Sequence, residues 1–132
     1  SLSTPSRISE ENGVKYYTNG SKVVALCPAD RSATSVSIKQ SCTAINRAAF
    51  LDCRSLNKIT IPSSVTRIGY LAFMSCTNLN KAKFENATGW SVCTSEFGTY
   101  TTPSKLTPTT EMTAANATLL KSTYLYYYWK RG

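Results

Sequence analysis

The chain has 132 residues and 14.5 kDa, 42% hydrophobic and 17% charged, with fifteen Lys and Arg against seven Asp and Glu for a formal charge of +8. That is one domain's worth of chain, able to bury roughly two-thirds of its unfolded surface and so to form a core without metals. No histidine occurs, which excludes Ser-His-Asp triads, Cys-His dyads, His-ligated zinc and histidine pH switching.

Ser1-Leu2-Ser3-Thr4-Pro5-Ser6 opens the chain without a methionine, a basic stretch or an apolar run, and reads as a processed or trimmed terminus. Val14-Lys15-Tyr16-Tyr17 and Lys22-Val23-Val24-Ala25-Leu26 then bracket Thr18-Asn19-Gly20-Ser21. Asn-Gly signals a two-residue hairpin turn because both central positions need positive φ. Residues 1–32 are therefore expected to hold a β-hairpin that caps the central part of the chain.

From residue 33 the chain repeats itself. Shifting Ala44–Ile61 by 23 places Ile68 on Ile45, Ala72 on Ala49, Phe73 on Phe50, Cys76 on Cys53 and Leu79 on Leu56. The reverse shift puts Val36 and Ile38 on Ile59 and Ile61. Each lap offers a short apolar alternation: Val36-Ser37-Ile38, Ile59-Thr60-Ile61, Ala82-Lys83-Phe84. Period 2 turns the outer side chains of each triplet inward and the middle one to solvent. Pro62 ends its strand, having no amide to donate. Stacked laps predict a solenoid of short parallel strands over residues 33–86, with Phe50 beneath Phe73 and the Ala-Phe pairs filling the opposite wall.

Residues 87–132 are left to cap the far end, since a short stack exposes apolar ends. Gly89–Cys93 reads as a strand continuing the sheet and Thr99–Thr110 as an exposed loop. Thr113–Lys121 reads as a short helix, and Tyr124–Lys130 as a last strand paired with the segment around Trp90.

The run Leu56-x-x-Ile59-x-Ile61-Pro62-x-x-Val65-x-x-Ile68-x-x-x-Ala72-Phe73-x-x-Cys76-x-x-Leu79 resembles the BspA-type leucine-rich repeat. The resemblance covers about residues 33–84 directly. It implies an α/β leucine-rich-repeat solenoid of right-handed coil, a secreted or cell-surface location, and adhesion or binding of host or bacterial surface components. The segment through Cys27-Pro28-Ala29 is similar to the hairpin that often precedes the first repeat in this family. The Tyr-Tyr-Trp-Lys tail is similar to the ending of many members, which implies a chain complete at that end.

Chemistry of other kinds has little material. The six glycines do not fall at GxGxxG or GxxxxGK spacing, no window gathers the carboxylates of a calcium loop, and no CxxC occurs. No apolar run approaches the about 20 residues of a membrane span. No cofactor or metal is expected.

The most readable surface is the solvent-facing strand column. Ser35, Lys58 and Lys81 align, as do Ser37, Thr60 and Lys83, then Lys39, Pro62 and Glu85. Lysines on adjacent strands stand about 5 Å apart. A ligand would justify such stacking of like charge, although lysine also blunts exposed strands and keeps them soluble. Lys58, Thr60, Lys81 and Lys83 form the candidate ligand-binding face. Tyr126, Tyr128 and Trp129 are candidate aromatic contacts for a sugar or protein; the same rings would serve as a cap over the last repeat, as would Tyr16 and Tyr17. Cys53 and Cys76, one lap apart, either bridge or pack as small buried thiols, and Cys93 is the expected exposed thiol. Asn19-Gly20-Ser21, Asn86-Ala87-Thr88 and Asn116-Ala117-Thr118 match the N-glycosylation triplet.

The positive charge fits a solvated basic surface or an acidic partner, and the lack of a reading motif argues against nucleic acid. The expected function is a non-enzymatic extracellular or cell-surface module binding protein or glycan, as a monomer or weak dimer. The alternative is a structural spacer or cap of a larger surface assembly with no ligand of its own. Glycoside cleavage would need two carboxylates about 5–10 Å apart, for which Asp30 and Asp52 are the best pair.

Overall fold

The computed structural model describes residues 7–132, so the terminus read from Ser1–Ser6 lies outside the described residues. Strands β1 (Ile8–Glu11), β2 (Val14–Asn19) and β3 (Lys22–Pro28) form an antiparallel meander. Asn12 and Gly13 join the first pair with φ of +50° and +81°, the type I′ pattern. At the second turn Asn19 pairs with Lys22, so the central residues are Gly20 and Ser21, and of these Gly20 alone has positive φ, +63°. The expected hairpin therefore turns one residue later than Asn19-Gly20, in the glycine-first pattern of a type II′ turn. A bulge between Lys15 and Tyr16 shifts the parity of β3, so that Val23, Ala25 and Pro28 are its buried residues.

Strands β4 (Ser35–Ser37), β5 (Ala44–Ile45), β6 (Lys58–Ile61), β7 (Arg67–Ile68) and β8 (Lys81–Phe84) then alternate between two walls. In the first wall β4, β6 and β8 are parallel, with Val36 opposite Ile59, Ile59 opposite Ala82 and Ile61 opposite Phe84. Each partner lies 23 residues on, as the sequence shift requires. The inward residues are all buried, from Val36 at 6% exposure to Ile59 and Phe84 at 0%.

The sequence reading assigns the opposite wall to the Ala-Phe pairs; these lie instead in the turns, and the second wall is a sheet of its own. There β5 and β7 pair in parallel, Ala44 with Arg67 and Ile45 with Ile68, and β3 joins them through Val24 and Ala25. A strand of two residues sends one side chain inward, here Ile45 or Ile68, and so shows no alternation to detect. The turns between the walls repeat as well. Ala48 and Leu71 have φ of +54° and +60°, and Asp52 and Ser75 of +60° and +62°, each pair one lap apart. This conformation costs a non-glycine residue roughly 1 kcal/mol. It aims the amides of Ala48, Phe50 and Asp52 at the carbonyls of Tyr70, Ala72 and Met74 on the next lap. Phe50 and Phe73 stack between them at 5.4 Å and 5°. At Gly69 the laps pack backbone to backbone: an added Cβ would stand 2.7 Å from Arg47 Cα.

Strands β9 (Trp90–Cys93) and β10 (Tyr128–Arg131) complete the second wall in the order β1-β2-β3-β5-β7-β10-β9. Thus β9 does not continue the lysine-bearing sheet as expected. Trp90 turns edge-on over Phe84, ring centroids 5.8 Å apart, and starts its strand on the other wall. The last strand does pair with it, Tyr128 with Cys93 through Arg131 with Trp90, but it begins only at Tyr128. The residues before it form a turn whose Leu125 carbonyl accepts the Leu71 amide, a bond that a further lap would otherwise supply.

The outer edge of β8 is covered too. Thr113 exchanges backbone hydrogen bonds with Ala82, and the Phe84 amide donates to Thr109. The Thr99–Thr110 loop is therefore only partly exposed, with Leu106 in the core. Thr113 also caps helix α1 (Ala114–Thr118), its hydroxyl accepting the Asn116 amide, and a π turn spans Leu119–Thr123 immediately after it. These are the only helical residues among those described, so the repeat fold is built mostly of short strands and turns, as the repeat reading expects, with little helix to warrant the α/β class. Asn116, 0% exposed, ties the cap together. Its side-chain amide donates to the carbonyls of Ala82, Thr109 and Glu111 at 2.9–3.0 Å, and its carbonyl oxygen accepts the Thr109 amide at 2.9 Å.

Candidate binding surfaces

The parallel register brings the four expected residues of the first wall together. Lys58 stands opposite Lys81 and Thr60 opposite Lys83. Lys58 and Lys81 are exposed, Thr60 and Lys83 half-buried. Among the described residues the ion pairs are Lys39 with Glu11 and Arg54 with Asp52, so these three lysines are unpaired. The column beside them is occupied internally. Lys39 lies 4.6 Å from the Tyr16 ring centroid, and Glu85 accepts from Gln40 at 2.9 Å.

The aromatic candidates separate. Trp129 is not a ligand contact: it is 2% exposed, donates its indole N–H to the Tyr124 carbonyl at 3.1 Å, and stacks on Phe84. Alternation along β10 sends Trp129 inward and Tyr128 outward. Tyr128 stacks on Tyr70 at 5.6 Å, and Tyr126, 53% exposed, meets the Tyr70 ring edge-on at 6.2 Å. Tyr16 is fully buried, with its hydroxyl accepting the Lys39 amide.

The outer face of the second wall carries a groove of about 370 Å³ that the sequence reading missed. Lys22, Arg47 and Arg67 border it, with Tyr100 and Tyr128, and Glu96 is its one carboxylate. Lys130, directly opposite Arg67 across the β7–β10 ladder, extends its Nζ to 5.6 Å from the Tyr100 ring. The Arg47 guanidinium lies 5.6 Å from the Tyr70 ring. Burial pushes the Tyr100 phenol up, against the opposing pull of Arg67, and its hydroxyl donates to the Glu96 carbonyl. The signal was available: Arg47 and Tyr70 are related by the same 23-residue shift as the lysines.

The remaining candidates are held by neighbouring groups of the chain. All five cysteines are free, with Cys42, Cys53 and Cys76 buried and Cys27 half-buried like Cys93. Burial pushes the Cys76 thiol up to about 12, helped by the neighbouring Cys53, and it donates to the Phe50 carbonyl. Asp30 is held below the usual carboxylate range by hydrogen bonds from the Ser32 hydroxyl and amide. Asp52 faces Arg54 at 3.3 Å. Of the glycosylation triplets, the one at Asn116 is closed by burial. No helix among the described residues is long and apolar enough to cross a membrane.

The family profile described as a BspA type leucine rich repeat region, in six copies, matches residues 27–127. Among solved structures, a leucine rich cell surface protein from Faecalibacterium prausnitzii A2-165 aligns at 18% identity and a TM-score of 0.41 over 62% of this chain. The chain spans 30% of that protein's length. No curated protein matches. The profile runs from the last two residues of β3 through both stacked laps to the tyrosine turn; with the 23-residue registers on both walls, it makes the chain a member of the BspA-type leucine-rich-repeat family.

Proposed function

We propose that the chain is a non-enzymatic recognition module of an extracellular or cell-surface protein, binding protein or glycan through the exposed face of its first wall. The observation carrying this reading is the lysine column. Lys58 and Lys81 stand opposite each other, Lys83 lies two residues along from Lys81, and none of the three has an ionic partner among the described residues. Like charges on adjacent strands lower stability, so a negatively charged or hydrogen-bonding partner is a sufficient reason to keep them. In this reading residues 33–86 wind as a short solenoid between a cap at 1–32 and a cap at 87–132. The triple substitution Lys58→Glu, Lys81→Glu, Lys83→Glu tests it on arrays of matrix proteins and surface glycans. Binding by the parent chain that the triple variant loses supports the reading. Binding by neither, with both folded, favours a spacer without a ligand.

A further inference from the structure

We propose that the groove on the second wall is a separate site for an anionic glycan, one whose sugar rings carry carboxylate or sulfate groups. The inference rests on reading the chain as a recognition module but uses the opposite face. Four cations, Lys22, Arg47, Arg67 and Lys130, border or flank the groove, and none is in an ion pair among the described residues. The space of about 370 Å³ lies within the about 300–1,000 Å³ of small-ligand sites.

The aromatic rings decide the class of ligand. Tyr100 and Tyr128 line the groove, and Tyr70 stacks behind Tyr128 at 5.6 Å, which fixes its ring plane. A simple inorganic anion has no use for ring faces, whereas a sugar packs its C–H face on them while its hydroxyls stay available. Arginine supplies paired donors that match a carboxylate or sulfate. Glu96, which would repel a plain polyanion, can accept hydrogen bonds from sugar hydroxyls. Cations for the acid group, rings for the pyranose face and one acceptor for hydroxyls form a set suited to an acidic sugar better than to an acidic peptide.

The test is calorimetric titration of the chain with four probes: a heparin hexasaccharide, an oligogalacturonate hexamer, cellohexaose and a poly-glutamate peptide of similar charge. Binding of the heparin or galacturonate probe, with none of neutral cellohexaose, is expected, and the stronger of the two identifies sulfate or carboxylate. Arg47→Gln with Arg67→Gln should weaken that binding by about tenfold or more. Tyr100→Leu, which keeps the net charge, should weaken it several-fold. Lys58→Gln with Lys81→Gln, removing the same charge from the other wall, should leave it within about twofold. Unfolding midpoints establish that each variant is folded. Equal loss from the lysine pair would mean diffuse attraction to a basic protein and overturn the proposal. So would unchanged binding by Tyr100→Leu, or poly-glutamate binding at least as tightly as either glycan. Loss through the lysine pair alone would overturn the groove while leaving the first-wall reading intact.

Discussion

Replacing Asn116 by alanine is expected to be among the most destabilising single changes in the chain. The side chain is fully buried and its amide has acceptors at Ala82, Thr109 and Glu111. Two hydrogens cannot serve all of them singly, so two donated bonds plus the one accepted from the Thr109 amide are a fair count. At about 1 kcal/mol net for each, and about 1–3 kcal/mol more for leaving the Thr109 amide without its partner, the loss is about 4–6 kcal/mol. The better helix propensity of alanine returns about 0.5 kcal/mol. Against a typical stability of about 5–15 kcal/mol this removes a large fraction. Urea unfolding followed by tryptophan fluorescence measures it, because Trp90 and Trp129 both sit in the core beside the cap. Asn116→Asp sharpens the test. It keeps the acceptor for Thr109 but sets a second oxygen against carbonyls, so it should be worse than alanine at pH 7 and recover in part at pH 3, where the carboxyl is protonated. A loss below about 1 kcal/mol for alanine, or an aspartate tolerated at pH 7, would refute the account of the cap.

Other expectations come from the packing of the laps. Gly69→Ala forces a methyl against the Arg47 backbone and should cost about 1–3 kcal/mol or more, since backbone cannot swing aside; a drop in the urea midpoint at constant slope reads it. In the native protein a thiol reagent at pH 8 should modify Cys27 and Cys93 first and reach Cys42, Cys53 and Cys76 only on unfolding; mass spectrometry of the labelled peptides decides. Stability should also fall at alkaline pH. The Cys76 thiol titrates near 12 when folded and near its ordinary value of 9.0 when unfolded. Its contribution is therefore full below pH 9 and is lost as pH rises toward 12, at up to about 1.4 kcal/mol per pH unit. Tyr16, Cys42 and Cys53, also pushed up by burial, act in the same sense. Cys76→Ala should flatten the fall in urea midpoint between pH 8 and 10.5.

What the sequence disclosed depended on length of pattern. The first wall was legible to the residue because Val36, Ile59 and Ala82 each sit in an alternating triplet and recur at a fixed interval. The second wall was not, because β5 and β7 have two residues each. The first hairpin escaped notice although Asn12-Gly13 has the favoured turn residues. All four residues of β1 are exposed, so no hydropathy pattern flanked the turn on that side. At the far end, β-propensity drew the last strand too early. Tyr124 and Leu125 are buried in a turn that supplies a carbonyl to Leu71, a role that side-chain preference does not encode. Asn116 stood out only as part of the expected helix and of a glycosylation triplet, since a buried polar side chain leaves no mark on hydropathy. Of the candidate contacts, burial removes Trp129 and leaves Tyr126 and Tyr128 at the surface.

The two ends of the stacked laps are covered in different ways. At its leading end the second wall presents the β5 edge, and β3 pairs with it in parallel, so the meander extends that wall by hydrogen bonding. At the trailing end three separate rows of backbone groups need partners, one on each wall and one in the turns between. β10 meets β7, Thr109 and Thr113 meet β8, and Leu125 meets Leu71. One continuous strand could not reach all three, which accounts for the irregular path of residues 94–127 through loop, short helix, π turn and tight turn. The leading edge of the first wall, at β4, receives no strand. Its Ser35 and Ser37 are exposed, and the three-residue length limits further pairing there. Coverage thus goes where the core would otherwise meet water. The lysine column and the aromatic groove lie on the outward faces of the two walls, apart from the edges that these segments cover.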